Sequence, residues 1–305
     1  MITYIQAQRL THFYGQTCAL DNVSFNVCPG DSVAVIGKNG AGKSTLLKLI
    51  AGLIPSPAAN ILFSGVALQQ QPQRVKNFIG FLGDRPALHY DVRVNEFLKF
   101  CGELRGMRGK VLQQHISKVI ETCHLKEFGN TLISLLSSGY QQRVGIAQAI
   151  LHNPKVLILD EPTARLDPTH IDEFRTLIRE LANDRAILLA THIAGDITSM
   201  CSRILLLEKG QLAFDGAAKT LLQNSLQGEI EIIFNHPPGV EELKLLSGVT
   251  HVKQTQDGHF KIECSDRINA LNHIVLIANQ KNWGLQNVTQ TENSLRSFFE
   301  KREQS

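Results

Sequence analysis

Ser32-Val33-Ala34-Val35-Ile36-Gly37-Lys38-Asn39-Gly40-Ala41-Gly42-Lys43-Ser44-Thr45-Leu46-Leu47-Lys48-Leu49-Ile50 reads as an apolar strand, a glycine-rich turn and a helix. The first five residues run apolar without alternation, as a strand buried on both faces does. Thr45 to Ile50 continues helically until Gly52 and Pro55 stop it. Between them, Gly37 to Thr45 spells G-x-x-x-x-G-K-[ST] in full. A triphosphate needs several backbone N–H groups to converge on it, which demands residues without obstructing side chains. Gly37, Gly40 and Gly42 supply that freedom, with Lys38, Asn39 and Ala41 completing the loop. Lys43 then reaches the β/γ oxygens, Ser44 offers a hydroxyl to Mg²⁺, and the helix aims its positive end at the phosphates. The stretch predicts an α/β fold that binds a nucleoside triphosphate and Mg²⁺.

Working outward, Val156-Leu157-Ile158-Leu159-Asp160-Glu161-Pro162-Thr163 is a second apolar strand, ending in two adjacent carboxylates. A buried parallel strand delivers Asp160 at its C-terminal edge, where ligands bind in such sheets. Asp160 can hold Mg²⁺ opposite Ser44, and Glu161 is placed to orient and deprotonate an attacking water. Further strand-like runs at 23–27, 78–82, 186–190 and 204–207 alternate with helical stretches, the pattern of a layered α/β domain. From Asn95 to His124 the periodicity is helical, carried by Phe97, Phe100, Leu104, Val111, His115, Val119 and Ile120. This predicts a helical subdomain over about 90–150.

At 305 residues the chain accommodates one large domain and a smaller one. The net charge of +3, with no Lys/Arg block, argues against nucleic acid. No apolar run reaches the roughly 18 residues that cross a bilayer, and no leader pattern opens the chain, so a cytoplasmic protein is expected. The six cysteines lack C-x-x-C spacing and read as reduced packing residues. A short helix is expected over Ala217 to Gln223, then a polar linker. The first domain is placed at 1–223 and a second at 229–305. The second reads βαββαβ: strands at 229–234 and 285–290, a helix at 240–246, and a hairpin of 249–256 with 259–264 turned at Asp257-Gly258. Asp266 is expected to cap a helix with Ile268, Leu271, Ile274, Val275 and Ala278 on one face. This order suggests a ferredoxin-like unit, followed by an amphipathic tail helix over Ser294 to Lys301.

Leu136-Ser137-Ser138-Gly139-Tyr140-Gln141-Gln142-Arg143 lies shortly before the acidic strand, with twenty residues from Tyr140 to Asp160. With this element the sequence resembles the ATP-binding cassette (ABC) ATPases, whose L-S-G-G-Q signature holds the same place. The resemblance covers nearly all of residues 1 to 223. It implies a P-loop ABC cassette with antiparallel β and helical subdomains, and hydrolysis of ATP. It also implies a homodimer, in which Ser137 and Gly139 close on ATP held by a second copy. By the same resemblance Tyr14 stacks on adenine, Asp167 belongs to the loop linking the two sites, and His192 is the switch histidine contacting γ-phosphate and water.

Two departures stand out. Asp84 occupies the position where most members carry a glutamine that touches Mg²⁺; an aspartate can still accept metal contacts but offers no amide donor. Ser138 and Tyr140 replace a glycine and the glutamine of the signature. These departures resemble exporter-type cassettes. The resemblance therefore implies the motor subunit of an exporter, held on the cytoplasmic face of the membrane by a permease on a separate chain, with Asp84 to Tyr90 as its docking groove. The alternative is a soluble cassette acting as a nucleotide-gated clamp on a ribosome or DNA. A single phosphate loop, only about fifty residues between Asp84 and Leu136, and the missing basic surface count against it.

Overall fold

The computed structural model describes residues 3–55, 60–219, 228–265 and 267–290. The chain divides into two compact units, residues 1–218 and 219–305. In the first, β1 (Ile5–Tyr14), β2 (Thr17–Val27), β4 (Asn60–Phe63) and β5 (Val66–Ala67) form an antiparallel sheet in the order β2-β1-β4-β5. Sequence reading marked only the end of β2, because the half-exposed strands β1 and β4 lack a continuous apolar run.

A second sheet carries β3 (Ser32–Ile36), β6 (Ile79–Leu82), β7 (Val156–Asp160), β8 (Ala186–Ala190), β9 (Arg203–Glu208) and β10 (Gln211–Ala217). Its order is β10-β9-β3-β8-β7-β6, with all neighbours parallel except the β10 edge. Every residue of β3, β7 and β8 is buried, as parallel strands covered on both faces require. Parallel direction sends the C-terminal ends of β3, β6, β7 and β8 to one edge of the sheet. Ala217 closes β10, and the helix expected over Ala217 to Gln223 begins one residue later, at Ala218; residues 220–227 lie outside the described ones.

Helices α1 (Lys43–Ile50) and α2 (Pro72–Lys76) precede β6. Between β6 and β7 come α3 (Val94–Leu104), α4 (Gly109–Thr122) and α5 (Ser138–Ile150). Their apolar contacts differ from the predicted stripe. Phe97, Leu98, Leu112, Ile116 and Val119 are buried, whereas Phe100, Leu104 and Val111 are exposed. The helices are shorter and separately oriented, so no single 3.6-residue phase runs through both. After β7, α6 (Pro168–Ala182) and α7 (Ala194–Met200) complete the unit. No helix among the described residues is long and apolar enough to cross a membrane.

The second unit runs β11 (Gly228–Phe234), α8 (Val240–Lys244), β12 (Val249–Gln256), β13 (His259–Cys264), α9 (Arg267–Gln280) and β14 (Leu285–Gln290). Its sheet is antiparallel throughout, in the order β12-β13-β11-β14. Gly258 turns the hairpin at φ 74°, where an added Cβ would come within 2.6 Å of the Phe234 carbonyl oxygen. On α9 the buried residues are Ala270, Ile274 and Ala278, packed with Ile230, Ile232, Phe260 and Trp283. Val275, expected on this face, is exposed instead, since Ala270 supplies the i−4 neighbour of Ile274. Asp266 and the tail 294–301 lie outside the described residues.

Candidate nucleotide-binding site

The loop from Gly37 to Gly42 joins β3 to α1 at the sheet edge just described. Gly42 sits at φ 102° as the N-cap of α1, and a Cβ there would lie 2.5 Å from the Ala19 carbonyl oxygen. Gly37 is equally hemmed in: its Cβ would meet the Leu207 carbonyl oxygen at 2.4 Å. The close packing holds the loop backbone without side chains. No side chain caps α1, so the first-turn N–H groups stay available to an anion. Lys43 is buried, and its Nζ donates to the carbonyl oxygens of Gly37 at 2.8 Å and Lys38 at 3.1 Å. Burial lowers its pKa, against the pull of Glu161 and Asp160.

Ser44 Oγ donates to Asp160 Oδ1 at 3.1 Å, bringing α1 and the end of β7 together. Burial is the main cause holding the Asp160 carboxyl above the usual range; the Ser44 hydrogen bond and Lys48 oppose it, and Glu161 and Asp84 add to it. One hydroxyl and one carboxylate are hard oxygen donors that suit Mg²⁺, which takes few protein ligands and completes its shell with phosphates and water. The described residues hold no cluster of three or more His, Cys, Asp or Glu side chains able to bind a metal by themselves.

Glu161 follows Asp160 in the left-handed region at φ 48°, an uncommon conformation for a non-glycine residue. Its N–H donates to the Ala190 carbonyl oxygen at 2.9 Å, tying the end of β7 to the end of β8. His192, just beyond β8, places Nδ1 2.8 Å from Glu161 Oε2, so the imidazole donates to the carboxylate.

Sequence reasoning missed what holds these two loops. Asp196, fully buried on α7, accepts from Thr191 Oγ1 at 3.0 Å, from Thr163 Oγ1, and from Arg175 Nε at 2.9 Å. Thr163 stands two residues after Glu161, and Thr191 directly precedes His192. One carboxylate thus pins both segments. A lone Asp on a short helix carries no motif that would have singled it out.

A cavity of about 690 Å³ collects Tyr14, Asn39, Gly40, Gly42, Lys43, Ser44, Thr45, Asp84, Asp160, Glu161 and His192. Tyr14 ends β1 half-exposed, its ring 4.8 Å from that of His12 in an edge arrangement, leaving a face open to stacking. Asp84 is present, but both of its oxygens are engaged by Arg165, at 3.2 and 3.0 Å. Gly37, Lys38 and Ala41 belong to the loop without lining the cavity. Ser137, Gly139 and Asp167 are not brought to it: Ser137 and Asp167 are the N-caps of α5 and α6, and Gly139 packs on His170. Tyr140, in place of the usual glutamine, packs its ring 4.1 Å from Phe128 and 6.0 Å from His170.

This geometry agrees with the comparisons to known proteins. Residues 20–164 match the ABC transporter family. An uncharacterised ABC transporter ATP-binding protein of Bacillus subtilis (strain 168) is 36% identical over 219 residues, covering 72% of each chain. The bacitracin transport ATP-binding protein of Bacillus licheniformis is 33% identical, covering 70% of this chain and 69% of that one. Among solved structures, an ATP-binding subunit of an ABC transporter superposes with a TM-score of 0.65 at 27% identity, covering 72% of this chain and 92% of its own. With Lys43, Ser44, Asp160, Glu161 and His192 gathered at one sheet edge, the chain belongs to the ABC transporter ATP-binding protein family.

Proposed function

We propose that this chain hydrolyses ATP to power a separate membrane permease. The observation that carries the reading is the Glu161–His192 pair, 2.8 Å apart, in the same cavity as Lys43 and the Ser44–Asp160 contact. Lys43 and the loop N–H groups bind the β- and γ-phosphates, and Tyr14 stacks on the adenine. Ser44 and Asp160 would hold Mg²⁺, which would supply charge neutralisation at the phosphates. Glu161 takes the proton of the attacking water, and His192 orients that carboxylate. Glu161→Gln is expected to keep ATP binding, lower turnover by about 10²–10⁴-fold and accumulate an ATP-bound dimer, read by sizing chromatography with MgATP. Normal turnover in that variant would disprove the role.

We propose a homodimer because Ser137 and Gly139 do not line the cavity of their own chain and would be free to meet nucleotide on a second copy. The uncapped start of α5 offers N–H groups to its phosphates. For the permease, a groove lined by Ala51, Leu53, Phe81, Leu104, Arg105 and Gln148 presents the exposed apolar side chains Leu53 and Leu104. With Gln73, Lys76 and Asn77 also on its wall, it supports docking by an amphipathic segment of the permease, and none of Asp84 to Tyr90 lines it. Such docking puts the chain on the cytoplasmic face of the membrane. We infer export from the departures at Asp84 and Tyr140; the antibiotic-transport relative is compatible with it.

A further inference from the structure

Asp84 follows β6 and Arg165 follows β7, at the ends of neighbouring parallel strands. Arg165 Nε lies 3.2 Å from Asp84 Oδ1 and Nη2 lies 3.0 Å from Oδ2. This is a planar two-point pair, the geometry that a guanidinium provides and an ammonium does not. Both side chains are 46% exposed, so solvent screens the pair without abolishing it.

The position of the pair gives it a consequence for ligand binding. Asp84, Asp160 and Glu161 put three carboxylates into a cavity whose buried cation is Lys43. A triphosphate brought to Lys43 therefore meets a carboxylate that a neutral side chain at residue 84 would not present. Like charges in a partly desolvated cleft cost more than in water. Arg165, one strand away, answers that charge.

We propose that Arg165 is a positioning residue of the nucleotide site: it takes up the charge of Asp84 and ties the loop after β6 to the loop after β7. With the pair closed, a carboxylate at residue 84 is compatible with a γ-phosphate. With Arg165 removed, Asp84 turns repulsive toward the phosphates. The proposal rests on reading the cavity as the ATP site.

The test is equilibrium binding of a fluorescent ATP analogue with Mg²⁺ to the full chain, with steady-state hydrolysis alongside. Arg165→Gln should weaken binding about three- to tenfold at low salt, with KM rising more than kcat falls, and the difference should shrink in high salt. Arg165→Lys, which keeps a point charge without the fork, should lie between. In Arg165→Gln/Asp84→Gln the affinity should return to within about twofold of wild type, because no charge is left to answer. A weakening that persists in the double variant would overturn the proposal, since Arg165 would then act on nucleotide directly. So would unchanged affinity in Arg165→Gln. Lys43→Ala separates the premise: wild-type binding in that variant would overturn the ATP-site reading itself, whereas its loss together with an unaffected Arg165→Gln would sink the role of Arg165 alone.

Discussion

The two units use the same layered physics, yet among the described residues only the first gathers the candidate site. In the first, β3, β6, β7 and β8 run parallel, so the loops after all four leave from one edge and bring Lys43, Asp84, Glu161 and His192 together. In the second, every neighbour is antiparallel, so the ends of strands lying side by side fall at opposite edges. Its charges accordingly pair across or beside the sheet, as Lys261–Glu231 at 2.7 Å and Lys281–Glu242 at 3.0 Å do. Strand direction, more than residue inventory, decides where a site can form.

The sharpest way to break this contrast is to remove what holds the converging loops. Asp196→Ala deletes the buried acceptor shared by Thr163 and Thr191 and leaves the guanidinium of Arg175 with only the exposed Asp172. Breaking a buried pair from one side costs about 3–5 kcal/mol. We expect a loss near 3 kcal/mol in chemical denaturation of the first unit, together with a fall in ATP turnover. Trp283, the single tryptophan, is buried in the second unit and reports that unit by fluorescence. Its transition should stay where it was. Full turnover in Asp196→Ala would show that the two loops hold their places without this anchor.

Much of this was legible in the sequence where one residue type meets one physical demand. Gly37, Gly42 and Lys43 have the backbone freedom and the charge that a phosphate would demand, and an apolar run ending in Asp160-Glu161 marks a buried strand reaching the sheet edge. The β12–β13 hairpin was legible from Asp257-Gly258 for the same reason. What escaped depends on context. Strands β1 and β4 are half-exposed and lack a distinctive run. Asp196 draws its role from three partners that the chain brings together only on folding. Val275 sits among apolar neighbours in sequence, yet helix phase turns it outward. Arg165 reads as an ordinary exposed cation until β6 and β7 stand side by side.

Acid should sharpen the contrast at intermediate size. His152 in the first unit is pushed down to about 4, by burial first and Arg105 next, with His115 and Arg185 adding. Its Nε2 donates to the Ile79 carbonyl oxygen at 2.9 Å, which opposes the shift. With the folded value below the ordinary one near 6.5, the unfolded chain takes the proton first. The stability is therefore present above about pH 6.5 and is lost as pH falls toward about 4, by about 3 kcal/mol in full, of which roughly 2 kcal/mol goes between pH 7 and pH 5. In the second unit His236, His251 and His273 are exposed. Denaturation monitored by far-UV circular dichroism at pH 7 and 5 should show the loss, and His152→Gln should flatten it. An unchanged slope in that variant would assign the acid sensitivity elsewhere.

The smallest effect is expected from the ion pair across β11 and β13. Lys261 and Glu231 face each other in register, 2.7 Å apart, and each is 43% exposed. Exposed pairs of this kind contribute about 0–1 kcal/mol, because water already stabilises both charges and two long side chains lose freedom in meeting. Lys261→Ala should therefore shift the Trp283 transition by less than about 1 kcal/mol and leave ATP turnover at the wild-type rate. The pair at Asp84–Arg165 is just as exposed, yet its removal is expected to change nucleotide affinity severalfold. If both pairs behaved alike, exposure would govern an ion pair's effect; if they differ, the parallel sheet edge gives a surface-grade interaction its leverage by placing it beside a triphosphate.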